Sequence, residues 1–258
     1  MKKILFFTAI SVLIFNLTSC HKEVTENTAS ERSLIILMKD KSASVSATDT
    51  EKETKHLKGY LAQYMAENTD VVVMDINSNS NSRTNAKWFY YKAPKRQVST
   101  RNKTKKQDEL DEVMYQEKVH KTLQATQKRI ITTMFAKTPP SQETAIVELV
   151  SPISEILKDY DKASVLIYSD LIQESGFRNF TKGQWAMPNK KYAVDVATKD
   201  FERLQQQSSE IDLSKISFVD VVTPNNPKNE KYYVNMPFYF DTIFTLGKYN
   251  GTIDWKKL

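Results

Sequence analysis

The chain has 258 residues, 37 Lys+Arg against 31 Asp+Glu, a formal net charge of +6, five glycines, three histidines and one cysteine, a length that suits one α/β domain or at most two small ones. Gly59, Gly176, Gly183, Gly247 and Gly251 assemble neither G-x-G-x-x-G nor G-x-x-x-x-G-K-[ST], which excludes the two common nucleotide cradles, and no G-x-S-x-G supplies a nucleophile elbow. The lone cysteine excludes an internal disulfide and Cys-rich zinc or iron–sulfur sites, and His21, His56 and His120 form no H-E-x-x-H.

Residues 1–19 read as a signal peptide. Lys2 and Lys3 form a basic start, and Ile4 to Leu17 is an apolar run of secretory length, too short for a lasting transmembrane helix. The run ends in Leu17-Thr18-Ser19-Cys20, which resembles the bacterial lipobox. The resemblance implies cleavage before Cys20 and lipidation of its thiol, with several acyl chains giving stable rather than reversible anchoring to the membrane. The mature chain then loses two lysines and keeps no cysteine for a disulfide, so stability falls to the buried core. His21-Lys22-Glu23 resembles the Lys-plus-acid export signal of some surface lipoproteins. The expected location is the bacterial cell envelope, lipid-anchored at the outer membrane, with the periplasmic and surface faces both open. Residues 20–31 read as the lipidated cysteine and a polar tether, and 32–258 as the body.

In the body, Leu34 to Met38 is a continuous apolar run, the pattern of a strand buried on both faces. Leu57, Tyr60, Leu61, Tyr64 and Met65 recur at helical spacing and predict a helix over about 50–67. Val71 to Met74 is a second buried strand. Asn77 to Ser82 is a polar low-complexity loop leading to a third strand at Trp88 to Tyr91, close enough for an antiparallel hairpin at a sheet edge. Residues 92–106 carry seven cations and no acid. A long helix follows, with Leu110, Val113, Met114, Val119, Leu123, Ile130, Ile131, Met134 and Phe135 expected to point inward, and Thr138-Pro139-Pro140 ends it. Next come a helix over about 143–158, a strand at Val165 to Tyr168, a helix over 191–207 and a strand from Ile216 to Val222. A last helix over about 237–247 reads as core through Phe238, Tyr239, Phe240, Ile243, Phe244 and Leu246, with Gly247 as its C-cap. The alternation implies one α/β domain: a Rossmann-like, mainly parallel central sheet with one antiparallel edge strand and helices on both faces.

Ligand sites in open α/β sheets lie beyond the carboxyl ends of the strands. Asp40-Lys41-Ser42-Ala43-Ser44 follows the first strand, and Ser169-Asp170 follows the fourth. One carboxylate and two hydroxyls at alternate positions can turn their oxygens toward one point, which a carboxylate on a neighbouring strand can also face. Hard oxygens without sulfur or imidazole suit Mg²⁺, Mn²⁺ or Ca²⁺ rather than zinc or copper. This set resembles the von Willebrand factor type A (vWA) domain. Its metal-ion-dependent adhesion site (MIDAS) carries D-x-S-x-S after the first strand, a threonine in a later loop and an aspartate after the fourth strand. The resemblance covers residues 32–250, the antiparallel third strand included. It implies a divalent cation, Mg²⁺ first with Mn²⁺ and Ca²⁺ as alternatives, held by Asp40, Ser42, Ser44, Thr144 and Asp170. Thr138 is the alternative to Thr144. The resemblance also implies a protein partner whose acidic side chain completes the coordination. The glycine common after the last aspartate is Leu171 here. The set contains no evident nucleophile or general base, so no enzyme is expected. Two other functions stay open: a metal-free structural lipoprotein of the envelope, and a metal-dependent phosphohydrolase, whose usual D-x-D is broken by Ser42.

The basic run reads as a solvated loop or helix start. Its alternative is contact with phosphate on lipid headgroups, lipopolysaccharide or nucleic acid, but the mature excess of positive charge is small and no nucleic-acid partner is expected. Asp108, Glu109, Asp111 and Glu112 suit the start of the long helix. His56 and His120 are expected to face solvent. Trp185 and Trp255, in loop-rich sequence, are expected to pack over the sheet edge.

Overall fold

The computed structural model describes residues 31–257 apart from 42–48, 81, 83–84, 97–103, 139, 182–186, 209 and 224–233. The signal segment, Cys20, Ser42, Ser44 and Trp185 lie outside the described residues.

Six strands form one sheet: β1 (Ser33–Asp40), β2 (Thr69–Ile76), β3 (Ala86–Tyr90), β4 (Lys162–Tyr168), β5 (Ile216–Thr223) and β6 (Ile253–Lys257). Their order is β3-β2-β1-β4-β5-β6, and every neighbouring pair is parallel except β2 with β3. This is a doubly wound order, with its switch point between β1 and β4. The central strands are buried on both sides because their apolar runs face two cores. Leu34, Ile36 and Met38 of β1 belong to one core, with α3 (Val150–Leu157), α4 (Lys190–Gln207) and α5 (Met236–Leu246). Ile35 and Leu37 belong to the other, with α1 (Asp49–Tyr64) and α2 (Lys105–Met134). The α/β architecture expected from the sequence is therefore the one observed, antiparallel edge strand included.

Two of the helices begin where side chains satisfy their first amides. Thr104 and Gln107 form a reciprocal capping box at the start of α2, and Asn189 caps α4 by accepting from the Tyr192 amide. At the other end of α5, Gly247 is the C-cap as expected, yet the left-handed residue is Lys248, at φ 70°.

Three elements differ from the sequence reading. In α2 only Ile130 and Met134 are buried, and Leu110, Val113 and Met114 are 58–63% exposed. At about 100° per residue, the twenty positions from Leu110 to Ile130 turn the helix by roughly half a revolution beyond whole turns. Leu110 and Met114 thus stand on the side opposite Ile130 and Met134. The helix expected over 143–158 begins only at Val150, after a short 3₁₀ turn at Val147–Leu149. Finally, Trp255 sits in a strand, paired with Val221 of β5 and partly buried against the core. Among the described residues, no helix is long and apolar enough to cross a membrane.

Candidate functional site

Asp40 ends β1 at the switch point. The last β1–β4 pair is Lys39 with Tyr168, so Asp40 stands level with Ser169 on the next strand. The Ser169 hydroxyl donates to Asp40 Oδ2 at 2.7 Å and accepts from the Leu171 amide at 2.9 Å. Asp170 Oδ1 accepts from the Ile172 amide at 3.2 Å. Asp40 and Asp170 are each 1% exposed. Two buried carboxylates thereby stand at neighbouring strand ends, and the Ser169 hydroxyl engages that of Asp40. Leu171 adopts φ 56°, the left-handed region that glycine fills without strain. A leucine there costs about 1–2 kcal/mol. Full burial of its side chain, which contributes about 1.5–3 kcal/mol, offsets that cost.

Thr144 is 2% exposed, whereas Thr138 is exposed. Thr144 does not open a helix. Its amide donates to the Glu174 carbonyl at 3.0 Å and its carbonyl accepts from the Glu174 amide at 2.9 Å, an isolated antiparallel bridge to the loop that follows Asp170. Gln173 explains why helix formation is delayed: its Oε1 accepts from the amides of Ile146 and Val147 at 2.7 and 3.1 Å. The same loop is tied from the other side by Arg178. Its Nε donates to Asp200 Oδ2 at 2.7 Å, a second guanidinium nitrogen donates to Oδ1, and the Tyr239 hydroxyl donates to Oδ2 at 2.8 Å. Asp200 is 2% exposed. The segment carrying Asp170 is thus held by one backbone bridge and two side-chain clamps, Gln173 and Arg178, that local sequence patterns do not reveal.

Beneath the rim lies a buried ion pair. Lys39 Nζ donates to both Glu53 oxygens at 2.8 and 2.7 Å, with only 7% and 1% of the two side chains exposed. The ammonium also lies 5.9 Å from the ring centroids of Phe135 and Tyr168. Lys39 precedes Asp40, and Glu53 lies in the second turn of α1. The pair therefore fastens the two elements that bracket the 42–48 segment bearing Ser42 and Ser44.

His56 is half-buried rather than solvent-facing, with Nδ1 2.8 Å from the Tyr168 hydroxyl. That hydroxyl also donates to the Glu53 carbonyl at 3.2 Å, and burial raises its pKa, so it stays protonated. Burial lowers the His56 pKa, with repulsion from Lys256 adding to the effect. The unfolded chain then takes up a proton near the ordinary histidine value while the folded chain resists it. The His56 contribution to stability is intact above that value and is lost as pH falls below it. Urea unfolding at about pH 7.5 and pH 5.5 should show His56→Gln to be less acid-sensitive than the wild type. An unchanged pH profile would contradict this assignment.

A third charged cluster flanks the rim. Lys41 donates to the carbonyls of Met134 and Ala136 at the end of α2, at 2.7 and 3.2 Å. Lys41 and Lys87 also share the buried Asp75, at 3.7 and 3.2 Å. Burial is the main cause lowering the Lys41 pKa. His120 is exposed, as expected. Among the described residues no group of three or more His, Cys, Asp and Glu could hold a metal ion. Among the described residues, the oxygens at the switch point are the Asp40 and Asp170 carboxylates and the Ser169 hydroxyl.

No protein-family model matches the chain, and no curated protein matches it. Solved structures do align. The human COPII-coat protein Sec24c aligns with 88% of this chain at 14% identity and a TM-score of 0.47, and the alignment covers 29% of Sec24c. The SpRpn10 VWA domain aligns over 88% of each chain at 8% identity and a TM-score of 0.36. The chain thus spans less than a third of Sec24c, and the fold itself is read from the strand order and pairing.

Proposed function

We propose that this protein is a lipid-anchored adhesion-type module of a bacterial envelope that holds a divalent cation at the switch point and binds a protein partner there. Asp40, Ser42, Ser44 and Thr144 would supply oxygens directly or through water, and Asp170 through water. Mg²⁺ is the first choice, because the donors are hard oxygens and few are charged. Such a cation keeps exchangeable waters, and an Asp or Glu from the partner can replace one. No residue of this set is assigned a catalytic role. Cys20 would carry the lipid. The observation that carries the reading is the placement of two buried aspartates, Asp40 and Asp170, at adjacent strand ends.

Partner capture from envelope extracts should be lost with chelator, restored by Mg²⁺ and absent for Asp40→Ala. Metabolic labelling with a fatty acid should mark the wild type and spare Cys20→Ser. Capture indifferent to both chelator and Asp40→Ala would favour a metal-free scaffold. That second reading draws on the Ser169 and Ile172 hydrogen bonds that already engage the two carboxylates.

A further inference from the structure

On one flank of the sheet, β3 and α2 line a cleft of about 510 Å³. β3 is terminal in the strand order, and among the described residues no strand pairs with its outer edge. Lys87 and Phe89 alternate along it with Trp88 and Tyr90, so its two faces differ in chemistry. On the α2 side, the Arg129 guanidinium lies 5.8 Å from the Phe89 ring centroid, and Lys128 lines the same cleft. Neither Lys128 nor Arg129 has an ion-pair partner among the described residues, and no acid lines the cleft. Lys87 adds a third cation, exposed and hydrogen-bonded to the buried Asp75 at 3.2 Å. On the opposite face, Trp88 and Tyr90 stack with ring centroids 6.1 Å apart, and Tyr90 is 60% exposed.

We propose that this edge receives an extended acidic segment of a partner protein as an added strand. Its backbone pairs with the outer edge of β3. Carboxylates at alternate positions meet Lys87, Lys128 and Arg129, and the apolar side chains between them lie against Trp88 and Tyr90. An exposed strand edge offers rows of N–H and C=O groups that another extended backbone satisfies, and pockets on alternate sides select the side chains. Arginine suits the recognition because its planar fork matches a carboxylate. The cation at the switch point is not needed for this contact.

The test uses the full chain in detergent and a fluorescein-labelled decapeptide of alternating Glu and Val, read by anisotropy. The alternating peptide should bind. Its Gln–Val analogue, and an isomer with all acids at one end, should bind at least about tenfold more weakly. Lys128→Glu with Arg129→Glu should weaken binding by a similar factor while leaving the circular dichroism spectrum unchanged. The milder Lys128→Gln with Arg129→Gln pair should weaken it less, and serves if the reversal disturbs folding. Chelator and Asp40→Ala should leave binding intact, which separates this cleft from the switch-point site. Absence of binding, equal binding of the clustered isomer, or binding that survives the substitutions would overturn the proposal. Binding lost with chelator and kept by the charge reversal would assign the peptide to the switch point instead.

Discussion

Glu53→Ala is expected to lower the free energy of unfolding by about 3–5 kcal/mol, because it strands the Lys39 ammonium in a site where 7% of that side chain is exposed. For a domain of this size, a loss of that order lowers Tm by about 10 °C. The cost belongs to the unpaired charge more than to the pair. Attraction within a buried pair is largely cancelled by the desolvation of both ions. Replacing both partners together, as Lys39→Met with Glu53→Met, should therefore recover most of the loss. A double-mutant cycle by urea unfolding measures the difference. Equal and additive losses in the two single variants, with no recovery in the double, would contradict it. The pair's position gives the result a second meaning. Lys39 adjoins Asp40 and Glu53 lies early in α1, so Glu53→Ala should also weaken whatever the intervening segment holds.

The second large effect is expected at Arg178. Arg178→Met leaves the Asp200 carboxylate, 2% exposed, without its guanidinium and with the Tyr239 hydroxyl still donating to it. The loss should again be about 3–5 kcal/mol. Adding Asp200→Asn removes the stranded charge and should restore a substantial part of it. Because Arg178 also ties down the loop after Asp170, hydrogen exchange at Leu171 to Thr181 should accelerate in the single variant beyond its global loss of stability. A variant as stable as the wild type would show that the guanidinium contributes nothing net.

The strands were legible because their chemistry is local. Leu34 to Met38, Val71 to Met74 and Val165 to Tyr168 are unbroken apolar runs, and each forms a strand buried on both faces. Strand-end residues follow directly from those runs, which is why the positions of Asp40 and Asp170 at the ends of β1 and β4 were legible. The clamps were less legible because their partners are distant. Arg178 and Asp200 are 22 residues apart, Lys39 and Glu53 belong to different elements, and Gln173 reaches back 27 residues to Ile146. One signal for the buried pair was present. Glu53 lies four residues before Leu57 on the buried stripe of α1, and Lys39 continues the β1 face of Ile35 and Leu37. A charge on each of two buried faces is a pair in waiting. The first half of α2 misled for a physical reason: Leu110, Val113 and Met114 form a sound helical stripe, and spacing alone does not say which side meets the sheet. β6 was missed because Ile253–Lys257 is short and mostly polar, as suits an edge strand.

Thermal unfolding in Mg²⁺ and Mn²⁺, comparing the wild type with Asp40→Ala, tests the cation site most directly. A cation at about a hundred times its dissociation constant contributes about 2.7 kcal/mol to the folded state. The wild-type Tm should therefore rise by about 5–10 °C, reversibly on chelation, and that of Asp40→Ala should not move. A wild-type Tm indifferent to both cations, or an equal rise in Asp40→Ala, would contradict a cation held at the switch point between β1 and β4.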